Sequence, residues 1–338
     1  MKRIRFLLMI FCVAFFAHGC APTVKPFSKT EADTSFLKII KEEFGYQARL
    51  FRVQDTLWIY FPVQDRDFYK IVSAPASSTS PKKKFTLEYI KGTFQDKTFN
   101  FEYDIINATK VASGSGVTTQ PTDEFNAFYR NVLSAVSRCY FNTDTTPPFI
   151  VLVLADIKKG IESQNTFCLL DLKKYYASAL PPDEYSLRVL NESSGDTKII
   201  GDAEGHHLEP KAISWPEFLN KQIAQRVRYK FQNSALPPEE TPQAIILKII
   251  AATVMIYDFK DYDTVVLSDL RNRQAENFTR SQIEAMQDTS LLGEKKPTPE
   301  GKVITIDFSK EGDEQFSETP VPAESKSQPS PAVNSQKP

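Results

Sequence analysis

Three times along this 338-residue chain a stretch with helical periodicity gives way to strand-like apolar residues, at 34–63, 125–172 and 243–269. That alternation restricts the fold more than any other feature. A helix must bury an apolar stripe and a hairpin an apolar face, so the economical solution is helices laid on hairpins, an α+β class. The clearest helix carries Phe125, Phe128, Tyr129, Val132, Leu133 and Val136, the i, i+3, i+4, i+7 spacing of one buried face, with Asp123 placed to cap it. Pro147-Pro148 ends helical geometry. FIVLVLAD (149–156) then reads as a strand covered on both faces, with 165–172 as its antiparallel partner.

The first unit predicts a helix over Thr34–Phe44, closed by Gly45, and a hairpin over 48–63 that turns at Gln54-Asp55. Alternation there puts Leu57, Ile59 and Phe61 on one face and Trp58 and Tyr60 on the other. The third unit predicts a helix over 243–257, led by Ile245, Ile246, Ile249, Ile250 and Val254, and a strand over 263–269. The helix is shorter than the ~20 residues that cross a bilayer and Lys248 interrupts it, so it reads as a core helix. TLWIYFPV and TVVLSDL both open with Thr before an apolar run, which suggests repeated helix–strand units.

Between these units, Phe85, Leu87 and Tyr89, then Phe99, Phe101 and Tyr103, predict a second hairpin with its turn near Gly92. Weaker strands are expected at 187–190 and 198–201, a helix at 215–231 with Pro216 in its first turn, and a short helix at 279–286. The run ASGSGVTTQPT (112–122) reads as a linker dividing an amino-terminal α+β subdomain (32–111) from a second one (123–288). Residues 289–338 hold a lone strand expectation, 302–308, and are otherwise rich in Pro, Ser, Glu and Gln, too poor in apolar surface to order themselves.

The amino terminus reads MKRIRFLLMIFCVAFFAHGC. Lys2, Arg3 and Arg5 precede an uncharged apolar run, then small residues, which is the order of a secretory signal. Ala17-His18-Gly19-Cys20 resembles the lipobox of bacterial lipoproteins, departing from it at Ala17 and His18. The resemblance implies removal of residues 1–19, diacylglyceryl attachment and acylation (palmitate) at Cys20, and a tether over 20–31. With Ala21 after the cysteine, it implies the outer membrane, facing the periplasm. Ala17 and Gly19 suit ordinary signal peptidase equally, which would leave Cys20 as the first residue of a soluble periplasmic protein.

Composition narrows the functions. The net charge is −1, with 41 basic and 42 acidic residues, so the basic footprint of a nucleic-acid binder is missing. Beyond the signal, Cys139 and Cys168 remain; in an oxidising compartment they can pair, closing a loop of about 30 residues worth about 3–4 kcal/mol, or sit apart as buried thiols. Asp202, Glu204, His206 and His207 are the one cluster of metal-ligand types, but neighbouring side chains on extended backbone point opposite ways, which argues against a shared ion. No nucleophile elbow, phosphate loop, dinucleotide fingerprint or other cofactor motif is present, and no catalytic residue is assigned. The expected role is a membrane-anchored, non-catalytic scaffold that holds an envelope-protein or cell-wall partner. The alternatives are a surface module taking sugar or peptide on its aromatic hairpins, with Trp58, Tyr60 or Tyr89 exposed, and an envelope hydrolase using His206 or His207.

Overall fold

A computed structural model of the chain describes residues 27–73, 85–107, 117–195, 202–233 and 240–286. Cys20, residues 108–116, the strand expectations at 198–201 and 302–308, and the tail from 289 lie outside them. Within the described residues the fold is α+β.

The chain enters at Phe27, which bridges to Thr143, and Ser28 starts α1 (Lys29–Glu42) with a reciprocal capping box to Glu31. β1 (Arg49–Val53) and β2 (Thr56–Val63) form the expected hairpin, and Gln54 takes φ 52° at its turn. After β3 (Tyr69–Ser73) come β4 (Phe85–Gln95), β5 (Thr98–Asn107) and β6 (Val117–Pro121). α2 (Asp123–Tyr140) is capped by Thr122, whose hydroxyl accepts from the Phe125 N–H; Asp123 is the first helical residue, not the cap.

β7 (Phe149–Asp156) and β8 (Ile161–Cys168) form the second hairpin. The expected partner strand at 165–172 is therefore shifted. Leu169 and Leu172 lie three apart, the spacing of a helical face, and the chain turns there into α3 (Leu169–Tyr176). Pro182 begins α4 (Pro182–Arg188), so the first two residues of the strand expected at 187–190 are helix, and β9 (Leu190–Gly195) starts at its last. α5 (Trp215–Asn233), α6 (Pro242–Ile256), β10 (Thr264–Asp269), β11 (Gln274–Thr279) and α7 (Arg280–Ala285) complete the order. In all three repeated units a helix precedes an antiparallel hairpin: α1–β1–β2, α2–β7–β8 and α6–β10–β11.

The first sheet runs β1-β2-β7-β8-β9 and the second β11-β10-β5-β4. β2 pairs in parallel with β7, and β5 pairs in parallel with β10. Both pairings join strands from opposite sides of 112–122, so that segment does not separate two independently built subdomains. Its later residues form β6, which pairs with β3. The β3–β6 ribbon closes a long excursion that carries the β4–β5 hairpin out of the first sheet and into the second.

Each sheet has its own core. Leu57, Ile59 and Phe61 of β2 and Ile150, Leu152 and Leu154 of β7 face α1 and α2, with Phe36, Ile40, Phe128, Val132 and Val136 packed on them. Phe128 meets the rings of Tyr46, Phe61 and Phe68 at 4.9, 4.9 and 5.0 Å. In the second sheet Phe99, Phe101, Val265 and Leu267 pack on α5, α6 and Ile283 of α7. α6 is buried along most of its length, which agrees with a core helix. Among the described residues no helix is long and apolar enough to cross a membrane.

Gly92 is not at a turn. It lies inside β4, and the hairpin turns at Asp96-Lys97, both at positive φ. A Cβ at position 92 would come within 2.6 Å of both Asn220 Oδ1 and the Phe101 ring, so glycine is needed there for close approach of α5.

Candidate functional site

On its helical side the first sheet is apolar at β2 and β7, whereas β8, apolar at Ile161 and Phe167, is polar between them, as is β9 beside it. Residues of this face alternate along each strand, and the register sets Ser163 beside Ser193 and Asn165 beside Asn191. These four polar side chains floor an open cleft of about 410 Å³. Phe125 and Tyr129 from the first turns of α2 and Tyr69 of β3 form one wall; Ser186 and Val189, at the end of α4, form the other. Phe125 and Tyr129 are four residues apart, so helical geometry places them one above the other, with rings 15° from parallel. The Tyr69 ring sits 5.3 Å from Phe125. Its hydroxyl donates to Ser163 Oγ at 2.8 Å, and burial pushes its pKa upward.

Asn165 is the telling residue. It is 8% exposed, yet its carboxamide makes no hydrogen bond to any described residue. Its polar atoms are not shut off from the cleft, so the hydrogen bonds that the described residues do not supply must be met from the cleft. Asn191 donates from Nδ2 to the Val189 carbonyl at 3.1 Å, which leaves its Oδ1 to accept. Among the described residues Glu192 is the one charged group lining the cleft, and it pairs with Lys221 at 2.7 Å. The cleft therefore offers aromatic faces, amides and hydroxyls, groups suited to holding an uncharged polar ligand.

The opposite face of the same sheet is closed. Trp58 and Tyr60, with Val151, Val153 and Ala155, lie under the segment 202–213. Trp58 Nε1 donates to the Lys211 carbonyl at 2.8 Å, Tyr60 donates to the Asp202 carbonyl at 2.7 Å, and the Ile213 N–H donates to Thr56 Oγ1 at 2.9 Å. Trp58 and Tyr60 are 5% and 0% exposed, while Tyr89 is exposed on β4 of the other sheet. The two aromatic hairpins thus do not form a shared open surface; β2 faces are too apolar to be left uncovered.

The cluster Asp202, Glu204, His206 and His207 lies in this covering segment and does not converge on one point. Asp202 accepts from the Glu204 and His206 backbone N–H groups, which hold its carboxyl below the usual range, and from the His206 ring at 2.8 Å. Glu204 pairs with Arg49. His207 turns the other way, to Glu162 Oε2 at 2.8 Å and edge-on against Tyr60. Gly205 at φ +76° lets the backbone turn where it rests on the Tyr60 ring. The His207 imidazole fastens the segment to the sheet, whereas the exposed His206 ring closes a turn within the segment.

Cys139 and Cys168 are free and buried, so the disulfide alternative falls. The reason is topological. Cys139 packs among the residues between α2 and the sheet, whereas Cys168 pairs across from Phe149 on the opposite face, against Phe218. The sheet stands between them. Burial pushes Cys139 up to about 11 and Cys168 to about 12. With folded values raised, the stability these neutral thiols contribute is present below the ordinary value of 9.0 and is lost as pH rises through about 11 and 12. Both thiols are expected to resist aromatic disulfide reagents at neutral pH and to react together on unfolding in urea. A native reaction of either within mixing time would contradict this placement.

One further cluster was not legible as a unit in the sequence. Arg188, 1% exposed, binds Asp171 Oδ1 at 2.9 Å and Glu184 Oε1 at 2.8 Å. Tyr257 donates to the other Asp171 oxygen at 2.6 Å, and Arg226 of α5 reaches Glu184 at 2.5 Å. The network ties α3 and α4, beside the first sheet, to α5 and the end of α6, beside the second.

Comparison of the chain with protein-family models, with curated proteins and with solved structures finds no match.

Proposed function

We propose that this chain is a lipid-anchored protein of a bacterial envelope that works by binding, with Cys20 as its lipid attachment and the cleft between α2 and α4 as its binding surface. The observation that carries the binding half is Asn165, an unpaired amide almost wholly buried yet open to a cleft of aromatic and hydroxyl groups. The anchor rests on the basic start, apolar run and Gly19-Cys20 of the amino terminus. The first described residue, Phe27, is held on both sides: its N–H donates to the Asn142 carbonyl and its carbonyl accepts from the Asp144 N–H. Seven Cα–Cα steps separate it from Cys20 and span at most about 25 Å, so a lipid on Cys20 keeps the body, and its cleft, close to the bilayer. In this reading the protein sits on the outer membrane, faces the periplasm, and presents the cleft to a partner or ligand of the envelope.

Metabolic labelling with an alkyne fatty acid tests the anchor. The native chain is expected in the membrane fraction with label, and Cys20→Ala in the soluble fraction without it. Label that persists in Cys20→Ala, or an unlabelled native chain, would contradict lipidation at this residue.

A further inference from the structure

Resting on that binding reading, the geometry points to a ligand class: we infer that the cleft over Ser163, Asn165, Asn191 and Ser193 binds a neutral carbohydrate, a short run of uncharged sugar residues.

Three observations select this class. The first is the floor. It is a sheet face, not a sheet edge: β8 is hydrogen-bonded to β7 on one side and to β9 on the other. A peptide that recognises a sheet adds its backbone to a free edge; β8 offers none, and although β9 ends the sheet, the four polar side chains stand on its face rather than along that edge. Recognition must run through side chains, here two amides and two hydroxyls in cross-strand pairs. An amide both donates and accepts, as do the adjacent hydroxyls of a sugar, so Asn165 can meet a vicinal pair with both of its ends.

The second is the wall. Tyr69, Phe125 and Tyr129 bring three rings to the same cleft. The negative face of an aromatic ring attracts positively polarised hydrogens, and a sugar ring carries such C–H groups on its flatter side. Polar edge and apolar face are then both matched. The third is charge. The one ionised lining residue among those described, Glu192, is neutralised by Lys221 at 2.7 Å, so the cleft presents no free cation to hold a phosphate or an acidic sugar. The volume of about 410 Å³ lies within the ~300–1,000 Å³ typical of small-molecule sites.

The test titrates the full chain, in mild detergent, with neutral oligomers of glucose, mannose, galactose and N-acetylglucosamine, and in parallel with acidic oligosaccharides and short uncharged peptides. Binding is read by calorimetry and by tyrosine fluorescence. At least one neutral oligosaccharide is expected to bind, with Asn165→Leu weakening it about tenfold or more while the unfolding temperature holds or rises. Ser193→Trp, at the exposed end of the floor and away from the core, should block it as well, which keeps the test decisive should Asn165→Leu fold poorly. Peptide binding sensitive to Asn165→Leu would uphold the cleft as a binding surface and overturn the carbohydrate class. Stronger binding of acidic sugars, or no binding of any neutral oligosaccharide, would also overturn the class. Sugar binding indifferent to both substitutions would overturn the site.

Discussion

Replacing Arg188 by Ala is expected to destabilise the fold by about 3–5 kcal/mol, the cost of breaking a buried ion pair by removing one partner. Arg188 satisfies Asp171 and Glu184 at once, and both carboxylates are buried with it. Burial works against the guanidinium charge, but these two carboxylates outweigh it and hold Arg188 above its ordinary pKa. Without it, Asp171 keeps only Tyr257, and Glu184 keeps only Arg226 at 10% side-chain exposure. A typical domain has ~5–15 kcal/mol of stability to lose, so about a fifth or more would go. Urea unfolding of the variant beside the native chain reads the change directly. A shift under 1 kcal/mol would mean that the network does not join the two sheets as described.

Dividing the chain within 112–116 has a larger effect: neither 27–111 nor 117–286 should fold alone. The first piece loses β7, so Leu57, Ile59 and Phe61 lose Ile150, Leu152 and Leu154. The second loses β5 as the parallel neighbour of β10, and with it Phe99 and Phe101 from the core on α5 and α6. Fully burying one such side chain is worth about 1.5–3 kcal/mol, and several are exposed on each side of the cut. Co-produced pieces are expected to associate and to melt as one cooperative unit, and each piece alone to show no sharp transition by circular dichroism. Cooperative melting of 117–286 alone near the native temperature would restore the two-subdomain organisation that the linker-like composition suggests.

Where periodicity and turn chemistry agreed, the fold was legible. The β1–β2 hairpin follows from alternation broken by Gln54-Asp55, and α2 from an apolar stripe ended before Pro147-Pro148. β11 was missed because QAENFT has no apolar alternation; it is an exposed edge strand held by its pairing to β10. Gly92 looked like a turn because glycine so often makes one, when its purpose is space for Asn220 and Phe101. Nothing local in the sequence marks Asp171, Glu184, Arg188 and Arg226 as residues that meet; strand order and helix packing bring them together.

The cleft was hidden for a similar reason. Ser163 and Asn165, and Asn191 and Ser193, are each spaced by two, which does mark a shared face within each strand. That this face looks toward α2, opposite residues as apolar as Leu152 and Leu154, depends on strand order and register. Sequence attention went instead to Trp58, Tyr60 and the histidines, which the segment 202–213 turns into the covered side of the sheet.

The most direct test of the cleft as the binding surface is site-specific photo-crosslinking in the native envelope. A benzophenone amino acid is placed at Ser193, on the cleft floor, and in a separate chain at Glu102, exposed on a strand of the second sheet. Irradiation of intact cells is expected to give a discrete adduct from position 193 and none from 102. No adduct at 193, or the same adduct from both positions, would contradict a cleft that holds a ligand at the membrane surface.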